Sequence, residues 1–250
     1  MDNEALKSKI DVLRRFIDES ENVVFFGGAG VSTESGVPDF RSKDGLYNRR
    51  DVRFEKYRPE YLLSHECLEY EPEVFFEFYR QKMDARGVKP NAAHYALARL
   101  EADGKLKAVV TQNIDALHQK AGSKNVFEIH GTTARNYCTR CRRQYGADYI
   151  YDSPDAVPRC ECGGVVRCDV TLYGESLPED AVEGAVRAIS AADMLIIGGT
   201  SLTVYPAASY IRYFRGKHLA IINKEHLDFP LDPDKDVEIN APIGEVLGAL

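Results

Sequence analysis

Residues 22–32 read Asn22-Val-Val-Phe-Phe-Gly-Gly-Ala-Gly-Val-Ser32. A short apolar run that ends in glycines is what a strand buried on both faces looks like as it enters a tight turn. The turn is expected to lead into a short helix over residues 32–35. Similar apolar runs recur at 106–111, 126–130, 193–198 and 218–223, with a weaker one at 237–240. Helical stretches separate them, at 91–103, 178–192, 206–214 and 242–250. A further helix precedes the first strand, where Leu6, Ile10, Leu13, Phe16 and Ile17 fall at helical spacing. Strands that alternate with helices predict an α/β fold built on a doubly wound parallel sheet.

Two stretches break this rhythm. Residues 42–88 are rich in Tyr, Phe and Glu and contain a helix predicted over 72–85. Residues 133–169 hold five of the six cysteines. The expected organisation is therefore a Rossmann-like domain made of 1–41, 89–132 and 170–250. A small lobe is inserted into it, made of a helical module (42–88) and a zinc-ribbon module (133–169).

The bulk numbers narrow the function classes. Hydrophobic content of 44% and charged content of 28% are those of a globular chain. No apolar run approaches the roughly 20 residues that cross a bilayer, and the N-terminus has no signal-peptide core. A net charge of −7 argues against a nucleic-acid surface. The expectation is a cytoplasmic protein without membrane or specific nucleic-acid partners, and a short core suggests a monomer.

Cys138-x-x-Cys141 and Cys160-x-Cys162 make two knuckles separated by residues 142–159. This is close to zinc-ribbon spacing, and four thiolates leave no open position for water, so such a metal is structural. Cys168 offers an alternative to Cys162 as fourth ligand. Gly163-Gly164 after Cys162 suits a knuckle turn and favours Cys162.

The glycine loop brings close backbone approach and helix N–H groups to a pyrophosphate. Its spacing is Gly28-x-Gly30 with the next glycine at Gly36, and no acidic residue ends a strand about 20 positions on. Both features argue against hydride transfer. Thr111-Gln-Asn-Ile-Asp115 starts where a strand ends, and His130 is expected to close another. Ligands of open α/β sheets bind outside the carboxyl ends of the strands, so Gln112, Asn113, Asp115 and His130 gather at one edge. Gln and Asn suit ribose hydroxyls, Asp115 can accept from an amide, and His130 has the pKa range of a general base. Gly198 to Ser201 and Asn223 are further ligand edges. His94 reads as a capping or packing residue, and His65, His118, His218 and His226 carry no functional signal.

In their order, Gly28-Ala-Gly-Val-Ser32, Glu34-Ser-Gly-Val-Pro-Asp-Phe-Arg41, Thr111 to Asp115 with Leu117-His118, His130-Gly131, the four cysteines and Gly199-Thr-Ser201 resemble the sirtuins. These are NAD-dependent protein-lysine deacylases, and the chain looks most like the short bacterial ones. The resemblance runs from about residue 22 to the C-terminus. It implies that Ala29, Thr33, Phe40 and Arg41 line the NAD site, and that Gln112 and Asn113 hold the nicotinamide ribose. Ile114 and Asp115 would bind the carboxamide. Thr200, Ser201, Asn223 and a contact near Ile243 would hold the adenosine half. In such enzymes the acyl oxygen attacks ribose C1′ as nicotinamide leaves. His130 then takes a ribose hydroxyl proton so that this oxygen attacks the acyl carbon, and water releases lysine and O-acyl-ADP-ribose. The resemblance makes His130, Asn113 and Asp115 the catalytic set, and one structural zinc the partner of Cys138, Cys141, Cys160 and Cys162. It also implies that the acyl-lysine peptide pairs through main chain with Gly174, Glu175, Leu202 and Val204.

The chain departs from the family pattern at several points. Gly27 stands where Thr is common, Ala116 where Gly or Arg is frequent, Cys168 where Pro is usual, and Tyr173 where Phe is usual. Relatives that prefer succinyl or malonyl groups carry Tyr-x-x-Arg. Tyr79-Arg-Gln-Lys82 is half of that pattern, so the expectation is a deacetylase with acidic acyl groups secondary. Competing readings are a mono-ADP-ribosyltransferase, a non-catalytic NAD or ADP-ribose sensor and, last, an oxidoreductase.

Overall fold

A computed structural model describes residues 2–40, 45–46 and 51–250. Its centre is a sheet of six strands in the order β3-β2-β1-β7-β8-β9, all parallel. These are β1 (Val23–Gly27), β2 (Leu106–Thr111), β3 (Val126–Glu128), β7 (Met194–Gly198), β8 (His218–Ile222) and β9 (Asp236–Ile239). The chain winds outward from β1 through β2 to β3, then returns to the far side of β1 through β7. The order therefore reverses between β1 and β7, and a crevice opens there at the carboxyl ends.

Both faces of this sheet are covered. On one face Val23, Phe25, Val109, Ile196 and Ile222 pack with α1 (Asn3–Glu19), α6 (Ala92–Ala102) and α10 (Ile243–Gly248). On the other, Val24, Phe26, Val110 and Ile197 pack with α9 (Glu179–Ala191) and a 3-10 helix (Ala207–Tyr213). The helix α1 shows the local logic. Asp2 caps it by accepting the Ala5 N–H at 2.8 Å, and Ile10, Leu13, Phe16 and Ile17 face the core. Burying each such side chain stabilises the fold by roughly 1.5–3 kcal/mol. Around the first glycines lies α2 (Gly30–Thr33), and α7 (Leu117–Ala121) follows β2.

The two stretches that break the alternation share a core. Helices α3 (Pro59–Leu62), α4 (His65–Tyr70) and α5 (Pro72–Lys82) contribute Leu62, Cys67, Phe75, Phe76 and Tyr79. A three-stranded antiparallel sheet, in the order β5-β4-β6, contributes Cys138, Val166 and Cys168 to the same cluster. Its strands are β4 (Gly131–Cys138), β5 (Gln144–Gly146) and β6 (Val166–Val170), with α8 (Asp148–Tyr151) between β5 and β6.

Four local expectations change. The first loop helix begins at Gly30, not at residue 32. The third strand ends at Glu128, and His130 lies in a turn that carries the chain from β3 of the large sheet into β4 of the small one. Gly131 allows this because it sits at φ +73, where a Cβ would also run into the Asp169 carbonyl. Residues 207–213 form a 3-10 helix instead of an α-helix. The fourth concerns the fifth helix, predicted over 72–85, which stops at Lys82.

Candidate active site and metal centre

One cavity of about 1470 Å³ opens above the β1/β7 crevice and runs to the small lobe. Its walls include Gly28, Ala29, Thr33 and Phe40 from the first loop, and Gln112, Asn113 and Ile114 from the end of β2. His130, Thr200, Ser201, Asn223 and Ile243 complete the sheet side, while Gly174, Glu175 and Val204 stand at the other end. Arg41 lies outside the described residues.

The glycine loop has a tighter job than expected. The Gly28 N–H donates to Gly198 O at 3.3 Å and the Gly30 N–H to Gly199 O at 2.8 Å. A Cβ on Gly28 would lie 2.9 Å from Thr200 Cβ, and one on Gly30 would lie 2.8 Å from Gly199 Cα. Both glycines are thus required by the loop after β7, which passes directly over them. The N–H groups of Gly28 and Gly30 bond that loop, while Gly28, Ala29 and Gly30 also line the cavity.

The polar residues form a linked set. Gln112 Nε2 donates to Thr200 Oγ1 at 3.2 Å, tying β2 to the loop after β7. Asn113 Nδ2 donates to Ser32 Oγ at 3.0 Å, and its own N–H is held by Thr111 Oγ1 at 3.0 Å. His130 Nδ1 lies 2.9 Å from Gln112 O. A carbonyl only accepts, so Nδ1 carries a proton, and whenever the ring is neutral Nε2 is its acceptor nitrogen.

Asp115 is 7% exposed and does not line the cavity wall. Its Oδ1 accepts the Leu117 N–H at 2.9 Å. Burial raises its pKa, opposed by the Leu117 N–H and the Ser32 hydroxyl. Leu202 also stands apart from the wall. Its side chain packs against the core under the sheet, and its backbone takes φ 55. Thr33 Oγ1 bonds back to Gly30 O at 3.0 Å, Ser201 Oγ pairs with Thr203 Oγ1 at 2.7 Å, and Asn223 Nδ2 donates to Glu225 O at 3.1 Å.

At the small-lobe end, residues 172–175 make a type II turn. The Glu175 N–H donates to Leu172 O at 3.0 Å, and Gly174 occupies the position that needs positive φ, at +90. Tyr173 is anchored to the helical module through Leu63 O and the His65 N–H. The main-chain groups of Gly174 and Ser176, which line the cavity, have no hydrogen-bond partner among the described residues, and neither do those of Thr203 beside Val204. An unpaired backbone edge in the wall of a cleft can accept an extended chain. Tyr79, Met83 and Leu63 line the same end of the cavity. Lys82 does not: its Nζ lies 3.3 Å from Asp51 Oδ2.

The metal centre is well defined. The sulfurs of Cys138, Cys141, Cys160 and Cys162 all lie within 4.8 Å of one another. A tetrahedral zinc with Zn–S of about 2.3 Å needs S···S edges of about 3.8 Å. Cys138 to Cys162 and Cys141 to Cys160 measure 3.5 and 3.6 Å. Cys138 Sγ accepts N–H groups from Arg140 and Cys141, as a knuckle thiolate should. The Tyr145 hydroxyl, 3.0 Å from Cys160 Sγ, helps to hold that thiol down to about 6. A Cβ at Gly164 would lie 2.7 Å from Cys138 Sγ, so the glycine is fixed by the knuckle. The donor set fits zinc. Cys168 is outside this cluster, buried in β6 near Tyr79.

Sequence reasoning missed several residues here. Ser32 holds Asn113 and sits beside Asp115, Arg167 grips Glu175, and His65 lies 2.9 Å from Glu175. None of the three carries a signal in the sequence, and Arg167 shares its strand with a second charged residue, Asp169.

The comparisons agree with this geometry. The family model described as "Sir2 family" matches residues 28–206. An NAD-dependent protein deacetylase of Clostridium perfringens is 55% identical, covering 97% of this chain and 98% of that protein. One from Clostridium acetobutylicum is 53% identical over the same shares. A solved structure described as "Sir2-p53 peptide-NAD+" matches with a TM-score of 0.79 and 36% identity, covering 95% of both chains. With the doubly wound sheet, the lobe-bridging cavity and the four-cysteine cluster all present, the chain belongs to the Sir2 family.

Proposed function

We infer that the protein is an NAD-dependent protein-lysine deacetylase that transfers the acetyl group to ADP-ribose, releasing nicotinamide, free lysine and O-acetyl-ADP-ribose. One observation carries the reading: a single cavity is lined at one end by the crevice of the sheet and at the other by residues 174–176 and Val204, with the Gly174 and Ser176 main chain unpaired among the described residues and His130 in its wall. When bound, NAD supplies a ribose carbon that loses nicotinamide and accepts the acyl oxygen.

This chain's residues do the rest. With Nδ1 donating to Gln112 O, His130 offers Nε2 to a hydroxyl proton. Gln112 and Asn113 hold the ribose beside it. Ile114 and Asp115 orient the carboxamide, and Ala29, Thr33 and Phe40 line the NAD site, a role the family resemblance also gives to Arg41. Thr200, Ser201, Asn223 and Ile243 hold the adenosine half. Gly174, Glu175, Leu202 and Val204 receive the peptide through main-chain pairing, so affinity comes more from backbone than from sequence. Cys138, Cys141, Cys160 and Cys162 hold one zinc, which does no chemistry because sulfur fills every position.

Acetyl is preferred to acidic acyl groups because Lys82 is engaged by Asp51 and turned from the cavity. No helix among the described residues is long and apolar enough to cross a membrane. A cytoplasmic monomer without nucleic-acid partners completes the reading, and the net charge of −7 supports the last point.

The test is one peptide carrying acetyl, propionyl or succinyl lysine, incubated with and without NAD. Lysine unmasking that needs NAD and is fastest for acetyl supports the reading. Nicotinamide release without unmasking would make the protein an ADP-ribosyltransferase instead.

A further inference from the structure

Arg167 is the one Lys or Arg fully buried among the described residues, at 6% exposure. It belongs to β6, in the zinc-bearing sheet, and does not line the cavity. A buried cation is tolerated only when its donors are matched. Here Nε donates to Cys168 O at 3.0 Å and Nη2 to Val170 O at 2.7 Å. The remaining fork closes on Glu175, with Nη1 on Oε1 and Nη2 on Oε2, the latter at 3.0 Å. Glu175 Oε2 also accepts the Leu172 N–H at 2.9 Å. The guanidinium plane lies over Tyr137 of β4, 5.6 Å from the ring centroid, which limits its alternatives.

The consequence is mechanical. The turn at 172–175 presents the unpaired Gly174 backbone to the cleft, and the Arg167–Glu175 pair fixes that turn to the backbone of β6. The same strand is anchored at its other end beside the cysteine cluster, where Val166 N bonds Pro158 O and Thr139 N bonds Val165 O. We propose that Arg167 is a positioning residue for the acyl-lysine peptide, holding one backbone edge of the peptide gap in register and transmitting the rigidity of the zinc module to it. The proposal rests on the deacetylase reading for the identity of the peptide. The NAD half of the cavity is built on loops of the large sheet, and no donor of Arg167 bonds to those loops.

The experiment compares wild type with Arg167→Met, Arg167→Lys and Glu175→Gln. Peptide affinity is read by anisotropy of a fluorescein-labelled acetyl-lysine peptide, NAD affinity by calorimetry, and amide exchange at Leu172, Tyr173 and Glu175 without any ligand. The expected result for Arg167→Met is a loss of peptide affinity of about tenfold or more, NAD affinity within about twofold, and faster exchange at the three amides. Arg167→Lys, which keeps the charge but not the fork, should fall between wild type and Arg167→Met. If Arg167→Met does not fold, Arg167→Lys and Glu175→Gln read the same two quantities.

Unchanged exchange at the turn overturns the proposal, and so does an equal loss of peptide and NAD affinity. So would wild-type peptide binding in a variant whose thermal midpoint alone has dropped. Wild type that fails to bind the peptide counts against the deacetylase reading instead, while the exchange arm still decides whether Arg167 holds the turn.

Discussion

The tautomer of a neutral His130 is set by a main-chain atom. Because Gln112 O can only accept, the proton of the neutral ring sits on Nδ1 and Nε2 is its acceptor, the arrangement that the proposed base needs. His130→Ala should therefore abolish lysine unmasking while leaving the thermal midpoint near wild type, since the ring is only half buried; assay and melting curve together check this. Asp115 makes a sharper case. Burial raises its pKa, so its carboxylate is held in a place that disfavours charge. Asp115→Asn keeps an oxygen for the Leu117 N–H but replaces an acceptor by a donor on the other branch. The expected outcome is a turnover loss of about 10²-fold or more with little change in stability, comparable to losing one oriented polar contact at a reacting centre. Gln112, Asn113, Thr200 and Asn223, which line the cavity, could be placed at one edge from the sequence because they stand just past strand ends. Ser32 and Arg167 could not, because they act through Asn113 and Glu175 and touch them only once the chain is folded.

Strands and cysteine knuckles are the elements the sequence announces most clearly. The apolar runs ending in Gly27, Thr111 and Gly198 became adjacent central strands, since residues buried on both faces need no alternation. Where the reading slipped, a turn had cut a pattern short. The run at 126–130 stops being a strand two residues early because Gly131 turns the chain into the second sheet, a tertiary demand that periodicity does not carry. The glycines at 28 and 30 were legible as necessary, and in the fold the close approach of the loop at 199–200 requires them. Gly30→Ala should thus destabilise the protein by about 1–3 kcal/mol through overpacking, even with no NAD present, as chemical denaturation would read. The knuckles make a separate prediction. Cys138→Ser should remove zinc from the purified protein and lower its thermal midpoint, and unchanged metal content would contradict the four-cysteine site.

For the whole molecule, the pH response should be set partly by a pair of histidines far from any surface. His94 and His118 face one another across α6 and α7 with ring centroids 4.8 Å apart, and His118 has no hydrogen-bond partner on either nitrogen. Burial lowers their pKa values to about 4 and about 3. Both rings are neutral in the fold and take up protons near pH 6.5 when unfolded, so their contribution is complete above that pH and is lost as the pH falls toward 4 and 3. Urea midpoints measured from pH 7 to pH 4 should fall, and His118→Leu should flatten the slope. His94 was legible as a helix cap, since it closes the capping box with Asn91. His118 gave no signal, because burial on an apolar face is a property of the packed chain.

The division of labour proposed for the molecule, in which NAD would lie at the crevice of the large sheet, the acyl-lysine between 174–176 and 202–204, and His130 at the turn joining the two sheets, is tested most directly by product stoichiometry. Mass spectrometry of one reaction with NAD and an acetyl-lysine peptide should give nicotinamide, free-lysine peptide and O-acetyl-ADP-ribose in equal amounts from the earliest time point. Nicotinamide in excess of free lysine, or free acetate in place of the acetylated nucleotide, would contradict it.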